Sequence, residues 1–479
     1  MLFRRTSRAT IAMAALLLVA VGVGWAQADG ASMQDALPES VQSNSTSPSV
    51  QTTQPPPYEL NPPLVGLNVR PLQPQGAEAR SFLIPGAQIT QALDTDQGDN
   101  SSQSSVHGVT RGLGSLSLQR LWRRYDLAAD YLGGVAYYSD RPVGTALLQL
   151  LNAEQHISWK RGQFAVRDSF SYLPEGNFGA GSFGGSGAGS LAGGFVGGLA
   201  GLGILGPGQF ASLGQQPRIT NVAIADVTQF LSPRSSLSAV GSYGLVHFTD
   251  NQSGLINSHQ VVAQGAYDYQ LNRRDQIVVL YAYQGFRYPS SVGNNFNTNL
   301  VNVLVGRRIT GRMEFIAGGG PQFTNVGIAS MRSTDRLTFS GRVALRYRIQ
   351  NSELALTFFR YDTNGSGFFA GATTNVLRFV VNRQLGRRWS AYADVGYSHN
   401  SRIAPSPIGS SAQTFDYVYV GGSLHRQLGR ELSAFVGYQF NNVGSDASLC
   451  ISGFSCNRTS QREVALIGLD WHPRPIRID

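Results

Sequence analysis

From about residue 80 to residue 471, apolar and polar side chains alternate one by one in segments of roughly ten residues or more. Successive side chains of a strand point to opposite faces, so a period of two demands strands with two unlike faces and excludes helices, whose period is 3.6. Val261, Ala263, Gly265, Tyr267, Tyr269 and Leu271 share one face, against Gln264, Ala266, Asp268 and Gln270 on the other. Ile277, Val279, Tyr281 and Tyr283 continue the pattern opposite Gln276 and Gln284, after only the polar turn Asn272-Arg273-Arg274-Asp275. Leu432, Ala434, Val436, Tyr438 and Phe440 oppose Ser433, Gly437, Gln439 and Asn441 in the same way.

Short basic turns recur near residues 122, 161, 234, 273, 311, 351, 386 and 429. Their spacing is about 40 residues, the length of two membrane-crossing strands with one short and one long connection. One interval is longer, and it contains the glycine-rich insertion 176–208, with 15 glycines in 33 residues. A strand at 81–93, eight hairpins on the eight turns and a last strand at 462–471 predict 18 strands, with 16 as the alternative because the first strand and the segment 145–160 are weakly patterned. Both termini then fall at the end with the tight turns. The predicted fold is all-β: a single transmembrane antiparallel up-and-down barrel over residues 80–473. Closure satisfies every backbone group, which hydrocarbon demands.

The alternation also assigns the two faces. Leu337, Phe339, Val343, Leu345, Tyr347 and Ile349 oppose Arg336, Arg342, Arg346 and Arg348. An arginine on the lipid face at mid-membrane costs about 2 to 4 kcal/mol, so these four are expected to line the water side. Arg378, Asp268 and Asp394 join them as pore-lining candidates by the same parity, with Asp130, Asn382 and Tyr392 on that side as well. Trp389, Tyr397, Tyr281, Tyr283, Phe415, Tyr417, Tyr438 and Trp471 are expected in aromatic girdles at the membrane interfaces.

Outside this region the chain changes character. Arg4, Arg5 and Arg8 precede an apolar stretch from Ile11 to Gly24 and the small-x-small site Ala26-Gln27-Ala28, which predicts a secretory signal peptide at 1–28. Residues 29–79, rich in Ser, Gln, Thr and Pro, read as a disordered periplasmic tail, and 474–479 as a short C-terminal one. The formal charge of +9 is almost all arginine, since Lys160 is the only lysine, but no basic run or basic helix suggests nucleic acid as a partner.

The cleavable signal, the hairpin repeat and the terminal strand Val464-Ala465-Leu466-Ile467-Gly468-Leu469-Asp470-Trp471 resemble Gram-negative outer-membrane β-barrel proteins of the porin type. That resemblance implies an outer-membrane protein with both termini in the periplasm. Its partners would be outer-membrane lipid, the barrel assembly machinery and small hydrophilic solutes, with self-association as an option. Members of the class commonly end on an aromatic residue; here Leu469 and Trp471 stand in that place, followed by His472 to Asp479.

A barrel of this size is too wide for side chains alone to fill. Phe178, Phe183 and Phe195 of the glycine-rich insertion are the candidates for a loop that narrows the channel. The inner arginines suggest a mild preference for anions, which the inward aspartates would reduce. Cys450 and Cys456, within one long connection, are expected to form a local disulfide.

No cofactor, metal site or catalytic motif is expected, as the seven histidines show no ligand spacing. For a catalytic group assembled across strands, His247 and His399, near strand ends facing the long connections, are the places to look. The predicted function is an outer-membrane channel for passive diffusion of small hydrophilic solutes or ions. The alternative is a barrel component of a secretion or surface-polysaccharide export system.

Overall fold

The computed structural model describes residues 81–95, 106–122, 124–139, 144–173, 217–249, 255–289, 295–328, 331–365, 367, 369–403, 413–446 and 459–478. The signal segment, the tail 29–79, the glycine-rich insertion with Phe178, Phe183 and Phe195, and Cys450 and Cys456 lie outside these residues.

The strands are β1 (Phe82–Asp94), β2 (His107–Leu121), β3 (Tyr125–Tyr138), β4 (Thr145–Trp159), β5 (Gly162–Leu173), β6 (Arg218–Ser232), β7 (Ser235–Phe248), β8 (Ser258–Gln270) and β9 (Asp275–Arg287). They continue as β10 (Asn295–Thr310), β11 (Met313–Ile328), β12 (Met331–Ile349), β13 (Ser352–Thr363), β14 (Ala372–Gln384), β15 (Trp389–Arg402), β16 (Thr414–Gln427), β17 (Leu432–Ser445) and β18 (Thr459–Trp471). Each pairs antiparallel with the next, and β1 pairs with both β2 and β18, so eighteen strands close into a barrel. The larger of the two predicted strand numbers is the one observed. A two-residue strand, β19 (Ile476–Arg477), adds to the seam by pairing with Phe82 and Leu83 of β1, below the stretch where β18 pairs with Ala87 to Asp94.

Local chemistry fixes the tight-turn end. Asn272 Oδ1 accepts from the backbone N–H groups of Arg274 at 2.7 Å and Asp275 at 2.9 Å. Ser232 Oγ and Thr310 Oγ1 accept in the same way from Arg234 and Arg312. These side chains take up donors that a two-strand turn otherwise leaves unpaired.

The outer surface is apolar. Leu337 and Phe339 keep 67% and 59% of their accessible area, and Val279, Tyr281, Leu377, Val395, Tyr397, Ile467 and Leu469 are likewise exposed. So large an exposed apolar band is stable only against lipid. Inward positions such as Gln264, Arg378, Asp394 and Gln439 are buried.

Strict apolar-out, polar-in patterning is broken by several buried apolar clusters on the inner wall, and two departures bear on the sequence reading. Ala266, Val278, Leu280, Ala282, Leu300 and Leu304 form a buried apolar cluster on the inner face of β8 to β10. The uninterrupted apolar run Ile277 to Tyr283 feeds both faces of β9, so the polar residues Gln276 and Gln284 flank this inner patch instead of continuing through it. Second, Phe415 and Tyr417, expected in an outer girdle, are fully buried and face inward. Asp416 takes the outward parity between them, which reverses the assignment of both rings.

Candidate functional site

The inner wall carries the chemistry. Arg342 and Arg346 of β12 share the inward face with buried Ser340 and Ala344, opposite exposed Val343 and Tyr347. Arg348 continues that parity at the tight-turn end, where it is exposed. Arg346 and Arg348 both meet Glu353 of β13, at 2.8 Å and 3.1 Å. Arg378 of β14 forms a bidentate pair with Asp394 of β15, which also accepts from the hydroxyls of Tyr392 at 3.0 Å and Tyr419 at 2.8 Å. Asp268 accepts from Gln276 across the β8–β9 turn. Arg167 of β5 sits between Glu154 of β4, at 3.0 Å, and Asp226 of β6. At the closing seam, Arg462 of β18 grips Asp94 of β1, with a 2.7 Å bond from Nε and side chains 1% and 0% exposed.

These pairs share one logic. Arginines point inward because outward they would meet lipid, and at each pair an inward carboxylate on a neighbouring strand offsets the charge. The sequence pattern identifies which side each group faces; it does not identify the pairing, which depends on inter-strand register.

The long-connection end is shaped by a segment that sequence patterning missed. β12 pairs with β13 only from Gly341 to Ile349, while its upper half, through Leu337, remains on β11 alone. Freed there, the upper ends of β13 and β14 fold into the lumen. Tyr361, Asp362 and Thr363 and then Ala372, Thr373 and Thr374 are buried on consecutive positions, which a strand within the wall would not be. Asp362 Oδ2 accepts from Thr324 Oγ1 of β11 at 2.5 Å, and its Oδ1 from Thr373 Oγ1 at 2.7 Å. Arg336, placed by its parity on the inner face of upper β12, donates to Thr373 Oγ1 at 3.2 Å and so braces the infolded hairpin.

The tip of this hairpin reaches well around the wall. Asn364 Nδ2 donates to Ser258 Oγ of β8 at 3.1 Å, and Tyr288 OH, just past β9, donates to the Asn364 carbonyl at 3.3 Å. The Ile256 N–H donates to the Gly367 carbonyl at 2.9 Å. Ala370 packs with Phe286, Tyr288, Phe296, Val326 and Ile403. Phe369 meets the Phe415 ring at 5.2 Å between centroids, and the Arg402 guanidinium lies over the Phe369 ring at 5.0 Å. Gly365, Gly367 and Gly371 have φ of 78°, 83° and 89°, a region costly for residues with a Cβ. The signal was present in the sequence as Asn364-Gly365-Ser366-Gly367, but loop direction follows from tertiary contacts.

Several inward polar atoms have no hydrogen-bond partner among the described residues. The terminal amide atoms of Gln88, Gln284 and Gln322, and Nε and Nη2 of Arg218, are buried and unbonded.

Together these features define a membrane-spanning β-barrel of the large, porin-sized class, with a charged inner wall and an infolded hairpin. No family model and no curated protein matches the chain. Among solved structures, the chain is similar to the outer membrane protein opdK from Pseudomonas aeruginosa, at 11% identity and a TM-score of 0.41, covering 82% of this chain and 98% of that one. It is also similar to OccAB4 of Acinetobacter baumannii, at 8% identity and a TM-score of 0.43, covering 83% and 99%. A third match is OccK2 (OpdF) of P. aeruginosa in complex with glucuronate, at 9% identity and a TM-score of 0.43, covering 82% and 98%.

Proposed function

We propose that the protein is an outer-membrane channel through which small hydrophilic solutes or ions diffuse passively. The reading rests on one observation: eighteen strands close into a cylinder whose inner wall holds the ion pairs and polar side chains while the outer wall is apolar. A barrel of 16 to 18 strands encloses more space than its own side chains fill. The unpartnered inner amides support water there, because buried polar groups persist where solvent supplies the missing bonds.

In this reading Arg342, Arg346, Arg348, Arg378, Asp268 and Asp394 line the aqueous path, and Arg336 sits at its constricted end. The infolded β13–β14 hairpin is the constriction. The long connections face the cell exterior and both termini the periplasm of a Gram-negative cell, as the division into long loops and tight turns in such barrels suggests.

Replacing residues 364–371 by a two-residue Asn-Gly turn tests the proposal. Single-channel conductance in planar bilayers is expected to rise several-fold over the unmodified barrel. Failure of both proteins to conduct, or to admit small sugars in liposome swelling, would overturn it.

A further inference from the structure

The outer wall carries a group the channel does not use. On β15, His399 lies two residues before Ser401 on the outward face, and Asp416 of β16 is the register partner of His399. Asp416 Oδ1 accepts from His399 Nδ1 at 2.8 Å, and Ser401 Oγ donates to His399 Nε2 at 3.4 Å. Tyr397 OH also donates to Asp416 Oδ1, at 2.8 Å, and fixes that carboxylate. The order is hydroxyl, imidazole Nε2, imidazole Nδ1, carboxylate, with each group on the correct ring nitrogen. That is the arrangement by which a serine becomes a nucleophile, and the Ser–His contact is commonly long before substrate binds.

From these contacts we infer that Ser401, His399 and Asp416 form a serine hydrolase centre acting on carboxylic esters of membrane lipid. The ladder holds the three rigidly, since Ser401 pairs with Thr373 of β14 on one side and Thr414 of β16 on the other.

Location argues for lipid as the substrate. Directly below the centre on the same face, Val395 and Tyr397 are 42% and 43% exposed within the apolar band. The His399 and Asp416 side chains remain 36% and 50% accessible. One cation flanks the centre on this face. Arg360 bonds at 3.1 Å to Asn375, directly opposite His399. It would attract an anionic headgroup.

The chemistry balances with water as the second reactant. Ser401 Oγ attacks the ester carbonyl carbon as its proton passes to His399 Nε2. The carbon–oxygen bond to the alcohol breaks, and Nε2 returns that proton to the leaving oxygen. Water then attacks the acyl-serine, giving one proton to Nε2. The fatty acid departs and Ser401 recovers its hydrogen from Nε2. Asp416 keeps Nδ1 protonated throughout and stabilises the imidazolium.

The inference needs the barrel to lie in a membrane but does not need conduction, so the two readings fail separately. The full chain, folded in vesicles of ester-linked phosphatidylglycerol and phosphatidylethanolamine, is expected to release free fatty acid and to label with a fluorophosphonate at Ser401, located by peptide mass spectrometry. Vesicles of the ether-linked lipids should release none. Ser401→Ala should abolish label and release while leaving conductance and heat-resistant barrel mobility unchanged. Asp416→Asn should lower release by about 10²- to 10⁴-fold, through the wrong histidine tautomer. A folded wild-type barrel that neither labels at Ser401 nor releases fatty acid, or release undiminished in Ser401→Ala, would overturn the inference.

Discussion

At the scale of single residues, the inner wall exchanges one electrostatic cost for another. An arginine facing lipid at mid-membrane is costly, but one buried in a crowded lumen still needs a counter-charge. Arg378 and Asp394, with side chains 10% and 3% exposed, show the solution: a bidentate pair further satisfied by Tyr392 and Tyr419. Asp394→Ala leaves the guanidinium without its partner, and removing one member of such a pair typically costs about 3 to 5 kcal/mol. A lower urea midpoint for the vesicle-folded barrel is expected, with most of the loss recovered in the double variant Arg378→Met, Asp394→Leu. The parity of both residues is legible in the sequence, since Leu377 and Phe379 alternate with Arg378. Their partnership is not, because it depends on which residue of β15 stands beside β14.

At the scale of elements, the infolded hairpin depends on a few positions that tolerate no side chain. A Cβ on Gly371 would collide with the Phe296 ring, and its φ of 89° is itself unfavourable for alanine. Gly371→Ala is therefore expected to loosen the hairpin tip without opening the barrel. Single-channel recordings should show higher or noisier conductance, while the overall unfolding midpoint changes little; a quiet wild-type conductance would contradict the hairpin's role. Strand existence was readable element by element, including the weakly patterned first strand. Where the reading failed, at Phe415, Tyr417 and the inner face of β9, aromatic or apolar residues served both faces and the period of two no longer named a side. The same ambiguity concealed the hairpin, whose upper residues are buried on both faces because they left the wall.

At the scale of the whole molecule, the +9 formal charge does not become a uniformly positive channel. The inner arginines 167, 346, 348, 378 and 462 each meet a carboxylate, so their fields largely cancel along the wall. Selectivity is expected to be weak despite the arginine-rich sequence. A reversal potential near zero across a salt gradient would agree; strong preference for either sign would contradict it. The sequence alone determined the closed, two-faced cylinder, since a two-residue period leaves each strand only two sides and lipid admits only one of them. Tertiary structure decided what cannot be written in a period: which charges pair across strands, which hairpin turns inward, and that Asp416 of β16 stands beside His399. Those outcomes depend on the register between separate strands, and no local pattern along the chain encodes it.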